Sequence, residues 1–375
     1  EIKKKVIGEE FSDTAVTYFD LAILYRDLGN YAKAEPLYLK ALEIRKKALG
    51  EDHPDTAGSY FDLAVLYRFL GKYGEAEPLF LKALEIRKKA LGEDHPNTAT
   101  SYFHLAVLYR DLGNYAKAEP LFLKALEIRK KALGEEHPDT AGSYNGLAVL
   151  YRNLGDYAKA EPLFLKALEI RKKALGEDHP DTATSYFDLA VLYRALGNYG
   201  KVEPLHLKAL EIRKKILGEE HPDTAGSYFD LAELYRVLGD YSKAEPFFLK
   251  VLEIRRKVLG EEHPSTASTY NSLAVLYRVL GNYGKAEPLH LKALEIRKRV
   301  LGEEHPDTAT SYFDLAGLYR ILGNYSKAEP LYLKALEIRM KVLGVDHPNT
   351  ALIYNHLEFL YIDTDKPEEA LKIFK

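Results

Sequence analysis

The residues best suited to chemistry in this chain are histidines set beside carboxylates. Glu51-Asp52-His53 is typical, and the same His-Pro dipeptide returns at His95, His137, His179, His221, His263, His305 and His347. Acid–base catalysis would need a second group positioned against each imidazole inside a pocket. A metal site would need three or four converging ligands. Neither can be assembled from copies 42 residues apart when each copy sits on its own helix pair, because neighbouring loops then lie about 10 Å apart, a helix-packing distance. The histidines read instead as helix starts, followed by a proline whose missing N–H costs nothing in a first turn. His206 and His290 occupy the aromatic position of Phe80 and read as partly exposed residues at the core edge. His104 and His356 stand where Asp62 does and are expected in solvent. No Gly-rich phosphate loop, HExxH or nucleophile elbow is present. The expectation is therefore no enzyme, no metal and no cofactor.

Composition narrows the field further. Lys and Arg total 53 against 56 Asp and Glu, so the basic excess that phosphate binding exploits is missing and a nucleic-acid partner is not expected. There is no cysteine, which removes disulfides and thiolate ligands. No apolar run approaches the roughly 18 residues of a membrane span, and no signal-peptide pattern opens the chain. These readings point to a cytoplasmic protein with no membrane partner.

The elements that carry these residues repeat with them. One unit, His53 to Asp94, reads HPDTAGSYFDLAVLYRFLGKYGEAEPLFLKALEIRKKALGED. Such a fixed period marks stacked supersecondary units in place of one central core. The first half places Tyr60, Leu63, Ala64, Tyr67 and Leu70 at helical spacing, ending at Gly71. The second places Ala76, Leu79, Phe80, Ala83, Leu84 and Leu91 on one stripe, ending at Gly92. Pro78 sits late for a first turn and is expected to cost stability or bend the helix. A lone pair of such helices leaves apolar side chains exposed, at roughly 1.5–3 kcal/mol each, so stacking on the next copy is required. The whole of residues 1–375 reads as a single array: a helix stub over 1–10, eight helix pairs over 11–346, and a divergent partial repeat over 347–375. The expected fold is all-α with about seventeen helices. Gly58, Gly142 and Gly226 alternate with Thr100, Thr184 and Ser268, which hints at 84-residue duplication steps.

Tyr60, Leu63, Ala64, Tyr67, Gly71, Tyr73, Ala76, Phe80 and Ala83 resemble the signature of the tetratricopeptide repeat. The 42-residue period and the stretch NYAKAEPLYLKALEI from Asn30 to Ile44 resemble the longer variant found in kinesin light chains. The resemblance implies a right-handed superhelical solenoid whose first helices line the concave surface. It implies extended, often acidic, peptide ligands. On those helices a second stripe runs beside the core stripe: Phe61, Val65, Arg68 and Phe69 in the unit quoted. Its counterparts include Phe103, Phe187 and Phe229, interrupted by Asn145, Asn271 and Asn355, beside a row formed by Arg26, Arg68, Arg110, Arg152, Arg194, Arg236, Arg278 and Arg320.

Two readings of this stripe compete. In one, the phenylalanines pack against the neighbouring pair and each arginine closes the negative end of its helix. In the other, the stripe is a ligand groove: arginines bind carboxylates in bidentate fashion, and the asparagines bind a peptide backbone in both directions. Asp20, Asp62, Asp188, Asp230 and Asp314 follow the Phe position and are expected to pair with arginines of adjacent repeats, so the groove should not be strongly basic. The function expected is non-enzymatic binding of a protein or peptide, with Asn145, Arg152, Asn271 and Arg278 foremost, and the array ends open to self-association. Similar arrays serve as sensor arms of signalling NTPases, and a consensus-like engineered scaffold without a natural ligand is a third reading.

Overall fold

From Pro54 onward each first helix begins at a His-Pro pair because the histidine caps it. In the computed structural model, which describes residues 12–366 and Glu368, the His137 Nδ1 accepts the backbone N–H of Asp139 at 3.1 Å and Pro138 takes the first helical position. His95, His179, His263, His305 and His347 do the same. The first helices end at glycines with left-handed backbone, such as Gly113 at φ 71°, except the last, which turns at Asp365, φ 55°; after Gly113 the next amide, that of Asn114, closes back on the Tyr109 carbonyl at 2.8 Å.

Among the described residues seventeen helices result and no strand occurs. The first helices are α1 (Ser12–Asp27), α3 (Pro54–Phe69), α5 (Pro96–Asp111), α7 (Pro138–Asn153), α9 (Pro180–Ala195), α11 (Pro222–Val237), α13 (Pro264–Val279), α15 (Pro306–Ile321) and α17 (Pro348–Asp363). The second helices are α2 (Tyr31–Leu49), α4 (Tyr73–Leu91), α6 (Tyr115–Leu133), α8 (Tyr157–Leu175), α10 (Tyr199–Leu217), α12 (Tyr241–Val258), α14 (Tyr283–Leu301) and α16 (Tyr325–Leu343). Each second helix from α2 to α16 runs through its internal proline, such as Pro120 in α6. The helix stub expected over 1–10 lies outside the described residues.

The chain divides into two compact units. One holds residues up to Phe69 together with Tyr73–Leu234; the other holds Leu70–Lys72 and the residues from Tyr235 onward. In the first unit, Leu63, Ala64, Leu66, Ala76, Phe80, Ala83 and Ile86 are sealed from solvent, and α4 packs both on α3 of its own repeat and on α5 of the next. Ile86 replaces Leu79 and Leu91 of the expected stripe, which are only half-buried. The second unit repeats the scheme with α13 to α17.

Consecutive repeats are hooked together by a buried threonine. Thr140, fully enclosed, donates its hydroxyl to the Gly134 carbonyl at the end of α6 at 2.8 Å. Thr56, Thr98, Thr182, Thr224, Thr266, Thr308 and Thr350 make the same bond at their own repeats. The threonine of the His-Pro-Asp-Thr motif thus satisfies a carbonyl that the helix leaves open. Among the described residues no helix is long and apolar enough to cross a membrane.

Candidate ligand-binding face

The phenylalanine row of the first helices is half-buried and packs edge-on into the core. Phe61 meets Phe80 at 5.6 Å, and Phe103 meets Phe122 at 5.3 Å. Behind Phe61 and Phe103 lies a cation the sequence reading passed over. Arg87 and Arg129, both from second helices, sit over Phe61 and Phe103 at 4.7 and 5.2 Å. Arg129 donates to the Ser143 hydroxyl at 2.9 Å, the Asp139 carbonyl at 3.2 Å and the Thr100 hydroxyl at 3.1 Å. The serine contact recurs for Arg45, Arg87, Arg171, Arg213 and Arg297. The threonine contact explains part of the Gly/Thr alternation: Thr100, Thr184 and Ser268 each receive an arginine. Thr310 also receives one, from Arg339, where a strict 84-residue step would have placed glycine. An arginine and a serine or threonine kept at fixed positions in nearly every copy was the available signal.

Two arginine rows therefore surround the acidic position. Burial raises the Asp62 carboxyl to about 6, opposed by the nearby charges of Arg26, Arg87 and Arg45. Burial likewise raises Asp188, while the Asn145 amide and Arg152, Arg171 and Arg213 pull it back. The aspartates are thus embedded among arginines of adjacent repeats. His104 takes the same position, and here the structure corrects the expectation of a solvated side chain. Its ring lies 4.7 Å from Phe61 and 5.6 Å from Phe103. Burial, with Arg68, Arg129 and Arg87 around it, depresses it to about 3.

His206 and His290 are also deeper than expected, at 2% and 0% exposure. Each replaces a core phenylalanine, and the helix position, not the side-chain polarity, decides the burial. Burial depresses them to about 4 and about 3. In the second unit His290 Nδ1 donates to Asn271 Oδ1 at 2.9 Å, and Asn271 Nδ2 donates to Asp314 at 2.7 Å. Asn271 is 8% exposed, so both ends of its amide are engaged within the protein. Asn145 in the first unit differs: Phe164 stands in place of the histidine, and the Asn145 Oδ1 is buried without a partner.

The first-helix arginines are graded. Arg68 pairs with Asp111 one repeat on, at 2.6 Å, and Arg110 with Asp111 beside it at 2.9 Å. For Arg152 the corresponding places hold Asn153 and Ala195; it meets Asn153 at 3.4 Å and lies in the field of the buried Asp188. Arg194 has Ala195 beside it. In the second unit Arg278 lies over Gly317, where an added Cβ would come within 2.8 Å of its Nη1; Arg320 pairs with Asp363 at 2.7 Å. Phe187 meets His206 at 5.7 Å, while Phe229 and Arg236 stay on the same rows at half-burial. Among the described residues no group of three or more His, Asp or Glu is placed to hold a metal ion.

The model of the tetratricopeptide repeat matches in eight overlapping stretches, from residues 13–89 through 315–375. The chain belongs to the tetratricopeptide repeat family. Among solved structures, a Podospora anserina putative kinesin light chain with nearly identical repeats is 30% identical over 55% of this chain and 98% of its own, with a TM-score of 0.45. A Rap protein complexed with Competence and Sporulation Factor is 15% identical, covers 88% of this chain and 99% of its own, and superposes at 0.58. The signal-transduction ATPase PH0952 of Pyrococcus horikoshii, with its tetratricopeptide repeat sensor, is 19% identical; it covers 93% of this chain and 52% of its own, at 0.54. The last two share the paired-helix fold. No curated protein sequence matches the chain.

Proposed function

We propose that residues 1–375 form one tetratricopeptide array that binds a protein segment or peptide along its first helices, without catalysing a reaction. The observation that carries this reading is the loss of carboxylates facing the arginine row. Arg68 and Arg110 share Asp111, whereas Arg152 faces Asn153 and Ala195. A ligand carboxylate arriving there gains a charge-assisted bond, worth roughly 1.5–3 kcal/mol, without first displacing a resident ion pair. The half-buried phenylalanines supply apolar surface alongside. The ligand class is therefore an extended peptide with acidic side chains. Asn145 is the asparagine better placed to contribute, being only half-buried on the same row; Asn271 is committed internally.

The test selects peptides from a random library on the intact chain, then measures affinity for Arg152→Glu and Asn145→Ala. Charge reversal at Arg152 should weaken binding at least tenfold with helicity unchanged. Ligands that bind both variants like the parent, or that map to the outer surface around Glu85 and Lys89, would remove the proposal.

A further inference from the structure

In the second unit three consecutive first helices end on aliphatic side chains. The residue after the row arginine is Asp27, Phe69, Asp111, Asn153 and Ala195 in the earlier repeats, then Val237, Val279 and Ile321; in the last repeat Asp363 holds the position, after Ile362. Each of the three aliphatic residues is followed by a leucine that caps the helix: Leu238, Leu280 and Leu322. These six side chains are 44–51% exposed. Each pair makes a short apolar ridge at its helix end, and exposed apolar surface that is grouped, not scattered, marks interaction sites. Two exposed lysines flank these ridges. Lys285 lies over the Tyr277 ring at 4.7 Å and Lys327 over Tyr319 at 4.9 Å, holding both ammonium groups at the turn beside the leucines. The turn residue is Asn282 or Asn324 there, whereas at the preceding repeat Asp240 pairs with Lys243 at 3.2 Å.

We propose that this edge, made by the C-terminal ends of α11, α13 and α15, docks an acidic amphipathic helix of a partner protein. The first helices α13 and α15 touch directly, which sets their two ridges about 10 Å apart. Two turns of an α-helix advance about the same distance. A helix laid across the edge therefore presents an apolar residue to successive ridges every seven positions, with glutamates reaching Lys285 and Lys327. The proposal adds a second surface to the ligand-binding face described above and rests on that reading only in taking the partner to be a protein.

The probe is a synthetic 21-residue helix, about three heptads, with leucine at every seventh position and glutamate on its flanks. Binding is measured to the intact chain and to the double variant Val279→Asp/Ile321→Asp. Aspartate is the residue this position already holds at Asp111 and Asp363, so the fold should tolerate it. The expected result is micromolar binding, weakened at least tenfold in the double variant and unaffected by Arg152→Glu. A peptide with lysine for glutamate should not bind. Absence of binding by the glutamate peptide, or equal affinity for both chains, overturns the proposal. So does failure to bind the peptide with retention on phosphatidylcholine vesicles containing phosphatidylserine, which would make the edge a lipid contact. Loss of library-peptide binding at Arg152 with the edge interaction intact, or the reverse, separates the two surfaces.

Discussion

His206 should make the first unit sensitive to acid. Its ring is 2% exposed and held neutral, its pKa depressed to about 4 by burial and by Arg194 and Arg213, against roughly 6.5 in an unfolded chain. Between those values the unfolded state binds a proton that the folded state refuses. Stability is therefore unaffected above pH ~6.5 and falls as the pH drops through the window, at about 1.4 kcal/mol per unit. The loss is about 2 kcal/mol at pH 5 and about 3 by pH 4. The perturbation is His206→Phe. Phe187 and a phenylalanine at 206 would reproduce the Phe103–Phe122 pair of an earlier repeat, so the variant should fold. Urea unfolding at pH 7.5, 6 and 5 should show midpoints that agree closely at neutral pH and separate progressively in favour of the variant. The parent imidazole should titrate in folded-state NMR spectra only well below pH 5. A gap independent of pH, or an imidazole titrating near 6.5, would show that burial does not hold His206 neutral.

The Asn271–His290 pair should behave as a coupled unit. His290→Phe alone leaves the Asn271 Oδ1 buried without a donor, at a cost of about 1–3 kcal/mol. Adding Asn271→Phe rebuilds the Phe–Phe contact, so a double-mutant cycle in urea should show at least ~1 kcal/mol of coupling, and additive effects would contradict the hydrogen bond. Thr140→Val should destabilise by about 1–3 kcal/mol through the orphaned Gly134 carbonyl, with faster amide exchange at the end of α6 as the local readout. Chains shortened by whole 42-residue units should lose stability in steps; equal unfolding midpoints for two and eight repeats would be inconsistent with nearest-neighbour stacking.

The helix boundaries were legible because each has a local cause: His-Pro opens a helix and Gly closes it, whatever lies elsewhere. The periodicity likewise exposed the need for stacking. Burial of the three polar rings was misjudged because residue type was weighed above helix position. His206 and His290 occupy Phe80's place, and stacking closes that place over any side chain of similar size. In their repeat Asn271 and His290 are both polar, which is the sequence trace of their hydrogen bond, whereas Asn145 stands opposite Phe164. The second-helix arginines escaped notice for another reason. Their partners are serine hydroxyls and backbone carbonyls 10 to 14 residues on, so no opposite charge advertises them. The last copy shows the pairing from the other side: Ile353 stands where Ser311 does, and Arg339 turns to Thr310.

The threonine hook also bears on how the chain acquires its structure during synthesis. Thr140 lies six residues beyond the carbonyl it satisfies, Ser143 fourteen beyond its arginine, and the tyrosine and aspartate partners of neighbouring repeats 32 and 43 away. These bonds can close soon after their downstream residues have left the ribosome, without waiting for the distant C-terminus. Folding of this kind is governed by short loops, whose closure is fast. It can keep pace with elongation at roughly 5–20 residues per second. Lengthening such a gene by further 42-residue units would add time to translation while leaving the folding rate of each unit nearly unchanged.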